Sequence, residues 1–82
     1  SIIENSKINE LNIFPNPTEN YLNIENDFMI DADYSIYDIS GRLVQNGKLV
    51  RNDISVLNLN KGIYSLVIKT ENGIYSARFI KE

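Results

Sequence analysis

The sequence predicts an all-β fold without helices, and three observations carry that expectation. Short runs rich in Val, Ile, Tyr and Phe alternate apolar with polar residues, the period of a half-buried strand. Turn residues recur about every 8–12 positions between those runs, the spacing of small antiparallel sandwiches. No segment sustains a helical period; residues 52–60 come closest and are poor helix formers. About seven antiparallel strands follow, arranged as a small β-sandwich of immunoglobulin-like type, with an open barrel as the alternative architecture. The Cys pair and Trp of antibody domains are absent.

Taken in order, Ser1 to Lys7 is polar and without period and is expected to be a linker, with the domain spanning 8–82. From Ile8 a strand begins, with Leu11 and Ile13 spaced by two, and it ends at Pro15-Asn16-Pro17. Residues that precede proline are pushed to extended conformations, and proline itself cannot donate to a sheet ladder. Tyr21 to Glu25 is a short strand with Leu22 and Ile24 inward. Asn26 to Asp33 is an acidic connection holding Phe28, Met29 and Ile30. Tyr34 to Ile39 is a strand ended by Ser40-Gly41, and Arg42 to Gln45 is its hairpin partner, ended by Asn46-Gly47. Ile54 to Leu59 alternates in part.

A hairpin spans Gly62 to Lys81. Tyr64, Leu66 and Ile68 share one face of its first strand, opposite Ile63, Ser65, Val67 and Lys69. Glu71-Asn72-Gly73 turns the chain, since Asn and Gly both tolerate φ > 0. The return strand sets Tyr75, Ala77 and Phe79 against Ile74, Ser76, Arg78 and Ile80, with Lys69 and Arg78 at wet positions.

Composition bounds the function. Eighty-two residues support one modest core rather than a deep catalytic cleft. The absence of His and Cys removes imidazole and thiolate chemistry, and no nucleophile–base pair is visible. No apolar run approaches the roughly 20 residues needed to span a bilayer as a helix. The opening residues lack the regions of a signal peptide and an initiator Met, so a piece of a longer chain is expected. Net charge is −3, with eight acids against Lys7 alone in residues 1–38 and seven bases against three acids afterwards. An acidic chain without a basic cluster is a poor nucleic-acid binder. The asymmetry suits attraction between the two halves of the fold or, as the alternative, a polarised surface offered to a partner.

Several residues have both a structural and a functional reading. Pro15, Asn16 and Pro17 form either a rigid recognised loop or a simple bend. Gly41 suits a φ > 0 turn, and Arg42 is either solvated or a docking charge. Gly62 and Tyr64 read as a turn glycine and a buried ring with a polar tip. Arg78, Ile80 and Lys81 are the best candidates for contact with a partner, because a terminal strand left as a sheet edge accepts another chain by β-augmentation. Glu25, Asp27, Asp31 and Asp33 raise calcium, but their spacing lacks the central Gly and final Glu of an EF-hand loop, and a solvated acidic loop is the expectation. No cofactor is expected.

Three blocks of the chain resemble a known family: LNIFPNPTENYLNI (11–24), YSIYDISGRLV (34–44), and ISVLNLNKGIYSLVI followed by NG and RFIK. Together they are similar to the type A C-terminal sorting domain of the type IX secretion system of Bacteroidetes-type bacteria. Glu82 departs from it, since members often finish on Lys or Arg. The resemblance implies a non-enzymatic transport address fused behind a cargo. That address passes from the periplasm through the outer-membrane translocon of a Gram-negative cell, with shuttle proteins as partners. In many members a sortase-like surface protease then removes the domain and anchors the cargo; others are released. From a different class, the alternative is an accessory carbohydrate- or surface-binding module, with Tyr21, Tyr37 and Tyr75 as its stacking platform.

Overall fold

The computed structural model describes residues 8–25, 31–71 and 73–82. The expected linker, the apolar trio Phe28, Met29 and Ile30, and Asn72 of the expected turn lie outside the described residues. Among the described residues eight strands form: β1 (Ile8–Glu10), β2 (Ile13–Phe14), β3 (Tyr21–Ile24), β4 (Asp33–Asp38), β5 (Leu43–Lys48), β6 (Asp53–Ser55), β7 (Gly62–Thr70) and β8 (Gly73–Lys81). No helix occurs among the described residues. The strands make a five-stranded sheet, β1-β8-β7-β4-β5, and a three-stranded sheet, β2-β3-β6.

The β7–β8 hairpin is the spine. It pairs antiparallel from Gly62↔Lys81 to Thr70↔Gly73, and β4 runs along the other side of β7. Alternation buries Tyr64, Leu66, Ile68 and Phe79 beneath this sheet, with Ile36 from β4. Leu22, Ile24, Ile54 and Val56 meet them from the smaller sheet, so the core lies between two layers, as in a sandwich. Tyr64 and Phe79 are cross-strand partners whose rings stack with centroids 5.6 Å apart. Tyr64 also donates its hydroxyl to the Asn60 carbonyl at 2.8 Å, which satisfies the one polar atom the ring carries inward.

Four local differences from the sequence reading have physical causes. Residues 8–14 form two strands instead of one. Leu11 N–H bonds the Ser76 carbonyl at 3.2 Å on the large sheet, and the Asn12 carbonyl accepts from Glu25 N–H at 3.0 Å on the small one. An extended chain that changes layer keeps its alternate side chains in the shared core, so the pattern conceals the crossing. β1 pairs parallel with β8, whereas the other named strands of the described residues pair antiparallel.

The other differences concern strand ends. Asn46-Gly47 does not end β5. Gly47 pairs with Tyr34, and a Cβ there would sit 3.2 Å from Tyr34 Cε2, so glycine makes room for a tyrosine ring lying across the strand. β6 stops at Ser55, because Val56 to Leu59 closes a turn through a Leu59 N–H bond to the Val56 carbonyl at 3.1 Å. β4 ends at Asp38 and leaves Ile39 in a turn, 82% exposed.

Candidate functional site

The Pro15-Asn16-Pro17 segment lies against β8, and both X-Pro peptide bonds, Phe14-Pro15 and Asn16-Pro17, are cis. Both prolines are exposed, whereas the Asn16 side chain works as a surrogate strand. Its Nδ2 donates to the Arg78 carbonyl at 3.2 Å and its Oδ1 accepts from Ile80 N–H at 2.9 Å. Thr18 continues the pairing in backbone: its N–H bonds the Ile80 carbonyl at 2.9 Å, and its carbonyl accepts from Glu82 N–H at 2.8 Å. Thr18 itself is buried, and its hydroxyl donates to the Tyr21 carbonyl. The expectation that β8 is an open edge is therefore corrected. β1 covers Ile74 to Ser76, and Asn16 and Thr18 cover the rest towards residue 82.

The turn between β4 and β5 is organised by one carboxylate. Asp38 Oδ1 accepts from Ser40 N–H at 2.9 Å, Ser40 Oγ at 2.7 Å and Arg42 N–H at 3.0 Å, while Oδ2 faces Arg42 Nε at 3.2 Å. The Ser40 hydroxyl bond, then the Arg42 backbone bond, hold the Asp38 carboxyl below its ordinary range, with Arg42's charge adding to the effect. Gly41 takes φ of 87° with open space where a Cβ would point. A side-chain oxygen gathering successive backbone N–H groups is how a short aspartate builds a turn.

Beside this turn the outer face of the large sheet gathers much of the three sequence blocks at one end. Ile63 pairs across with Ile80, Ser65 with Arg78 and with Tyr37, and Tyr37 with Leu43. A bulge after Ile36 shifts the β4–β5 register. A concavity of about 310 Å³ lies between Ile39, Gly41, Ile63 and Arg78, and a second, of about 210 Å³, runs on from Ile63 and Arg78 to Ile80 and Asn16.

Not every candidate residue joins this face. Lys81 points the other way and is buried, with Nζ donating to the Glu82 carbonyl at 3.0 Å. It therefore leaves the set of contact residues. Gly62 opens β7 at φ 158° and Tyr64 is in the core, so both serve the fold. The three tyrosines proposed as a stacking platform are dispersed. Tyr21 is on the small sheet, Tyr37 faces outward, and Tyr75 packs against the core. Among the described residues no group of three or more His, Cys, Asp or Glu is placed to hold a metal; Asp33 instead faces Lys48 Nζ at 3.2 Å. Asp27 lies outside the described residues. Among the described residues, no helix is long and apolar enough to cross a membrane.

Sequence reasoning overlooked Ile39, Leu43 and Thr18. The first two carried a signal, since an isoleucine beside a Ser-Gly turn and a leucine opposite Tyr37 have no core to enter. Thr18 carried none, because its burial depends on β8, far away in sequence.

Fold and surface together define a small β-sandwich domain with a contiguous apolar face and a bent segment sealing its last strand. The model of the family described as the secretion system C-terminal sorting domain matches residues 12–82, and the chain belongs to that family, the sorting signals of type IX secretion. It is a family of sorting signals rather than enzymes. The fold is also similar to part of PorZ, an essential bacterial surface component of the type IX secretion system of human oral-microbiomic Porphyromonas gingivalis. The TM-score is 0.67 at 16% identity over 88% of this chain, which spans 11% of that one. No curated protein matches the chain.

Proposed function

We propose that residues 8–82 act as a transport address that carries an upstream cargo, joined through residues 1–7, across the outer membrane by way of the type IX translocon and its shuttle proteins. The family match over residues 12–82 carries this reading. The exported cargo is either released to the medium or, where a sortase-like surface protease removes the domain, anchored at the cell surface. The address performs no chemistry of its own. It is read as a folded surface, with Arg78 and Ile80 as contacts, Gly41 and Arg42 shaping the adjoining turn, and Pro15-Asn16-Pro17 keeping β8 closed.

The test fuses residues 1–82 behind a periplasm-directed fluorescent reporter, in a bacterium with a working type IX system and in a translocon-deficient sibling. Export confined to the working strain is the expected result. A folded fusion retained in the periplasm of both strains overturns the reading. The same fusion made with residues 8–82 alone tests the boundary and is expected to export equally.

A further inference from the structure

We propose that the outer face around Arg78 docks a protein that presents a carboxylate side chain set among apolar residues; this deepens the sorting role and rests on it. Ile39 is 82% exposed, Leu43 49%, and Ile63 and Ile80 45% each. Single exposed apolar residues are ordinary, but Ile39, Ile63 and Ile80 line two adjoining concavities at one end of one sheet, Leu43 pairs with Tyr37 beside them, and contiguous patches mark contact surfaces. Arg78 is common to both concavities.

Arg42, Lys48 and Arg51 each face an aspartate, at 3.2, 3.2 and 3.7 Å. Arg78 has no carboxylate within 4 Å among the described residues. The acid nearest to hand in the concavity, Asp38, is already occupied by Ser40 and Arg42. Arg78 thus offers a planar fork of donors with no acceptor among the described residues, surrounded by side chains that exclude water once a partner closes over them. That setting suits a carboxylate, which the fork binds in two parallel hydrogen bonds. Arginine ringed by apolar contacts is also a frequent centre of binding energy at protein interfaces.

A membrane surface fits less well. Anionic lipid is read by clusters of roughly four to eight Lys or Arg, and among the described residues this face offers a single arginine without a carboxylate, on a chain of net charge −3.

The test uses the residues 1–82 fusion in the type IX-competent strain, with Arg78→Glu, Arg78→Lys, the pair Ile63→Ser with Ile80→Ser, and Lys69→Glu. Lys69 is an exposed cation at the far end of β7 and serves as the control charge reversal. Arg78→Glu is expected to cut export about tenfold or more, the scale of a lost desolvated charge pair. The isoleucine pair should cut it about fivefold. Arg78→Lys keeps the charge but loses the two-pronged fork, so it should cut export by an intermediate amount, about threefold to fivefold. Lys69→Glu should export as wild type, and all the purified variants should melt within a few degrees of it.

Translocon-dependent export of wild type with undiminished export of Arg78→Glu overturns the docking surface and leaves the sorting role standing. Absence of translocon-dependent export in wild type removes both. Two further measurements use the purified chain. Sedimentation with phosphatidylglycerol vesicles that Arg78→Glu abolishes would assign the face to lipid. A concentration-dependent dimer that Arg78→Glu dissolves would assign it to a second copy. Either result overturns the proposal.

Discussion

The β7–β8 hairpin has two faces made from alternate residues of the same two strands, and they follow different rules. Inward, Leu66, Ile68 and Phe79 are at most 1% exposed and Tyr64 is 8% exposed. Their identities are constrained by volume, since a close-packed interior registers the loss of even one methylene. Outward, Ile63 and Ile80 oppose each other at 45% exposure, with Arg78 next in line, and no core element covers them. Folding requires the first set. Nothing in the packing requires the second, so the identities of outward residues are free to serve recognition.

The largest expected effect breaks the inner face. Phe79→Ala removes a ring stacked on Tyr64 and should cost about 3–5 kcal/mol in urea denaturation, close to the whole stability of a domain this small. Ile80→Ser, one residue along, should change stability by no more than about 1 kcal/mol. Equal losses from the two substitutions would erase the distinction between the faces.

Next in size is Asn16→Ala. It removes both side-chain hydrogen bonds that seal β8 and should cost about 1–3 kcal/mol. Amide exchange at Ile80 should accelerate more than at Leu66. Unchanged exchange at Ile80 would mean that the strand is closed by something other than the asparagine amide. Tyr64→Phe keeps the packing but deletes the bond to the Asn60 carbonyl, for an expected loss of about 1 kcal/mol.

The smallest effect concerns pH. Asp38 is held below its ordinary pKa of 3.8 by its turn partners, so the unfolded chain takes up its proton at a higher pH than the folded one. Its contribution to stability is complete above the unfolded value and fades as pH falls through the folded value. Asp38→Asn should therefore flatten the stability profile in the window just below about pH 4. A profile as steep as wild type there would place the acid sensitivity on other carboxylates.

Much of this comparison is legible in the sequence. The inward set Tyr64, Leu66 and Ile68 and the wet positions Lys69 and Arg78 follow from a period of two, a local property of the chain. What the sequence conceals is long-range or shared between layers. The passage from one sheet to the other near Leu11 leaves no mark, because both layers feed one core. Gly47 reads as a breaker until Tyr34 is placed across from it. Pro15-Asn16-Pro17 announces an unusual backbone, but the partners of the Asn16 amide lie 62 and 64 positions away. For the same reason the terminal strand looked like an open edge and Lys81 like an exposed charge. The outward apolar residues were present in the pattern, and only their convergence around Arg78 required the fold.

The parallel pairing of β1 with β8 has a mechanical consequence. Tension applied between residue 8 and residue 82 draws the two strands past each other along their length, because they run in the same direction. Their hydrogen bonds, and those that Leu11, Asn16 and Thr18 make to β8, then share the load at once instead of opening one by one as in an unzipping hairpin. A domain tethered through its two ends in this way resists traction best along the line joining them, and its lifetime under load is set by how fast that clamp ruptures.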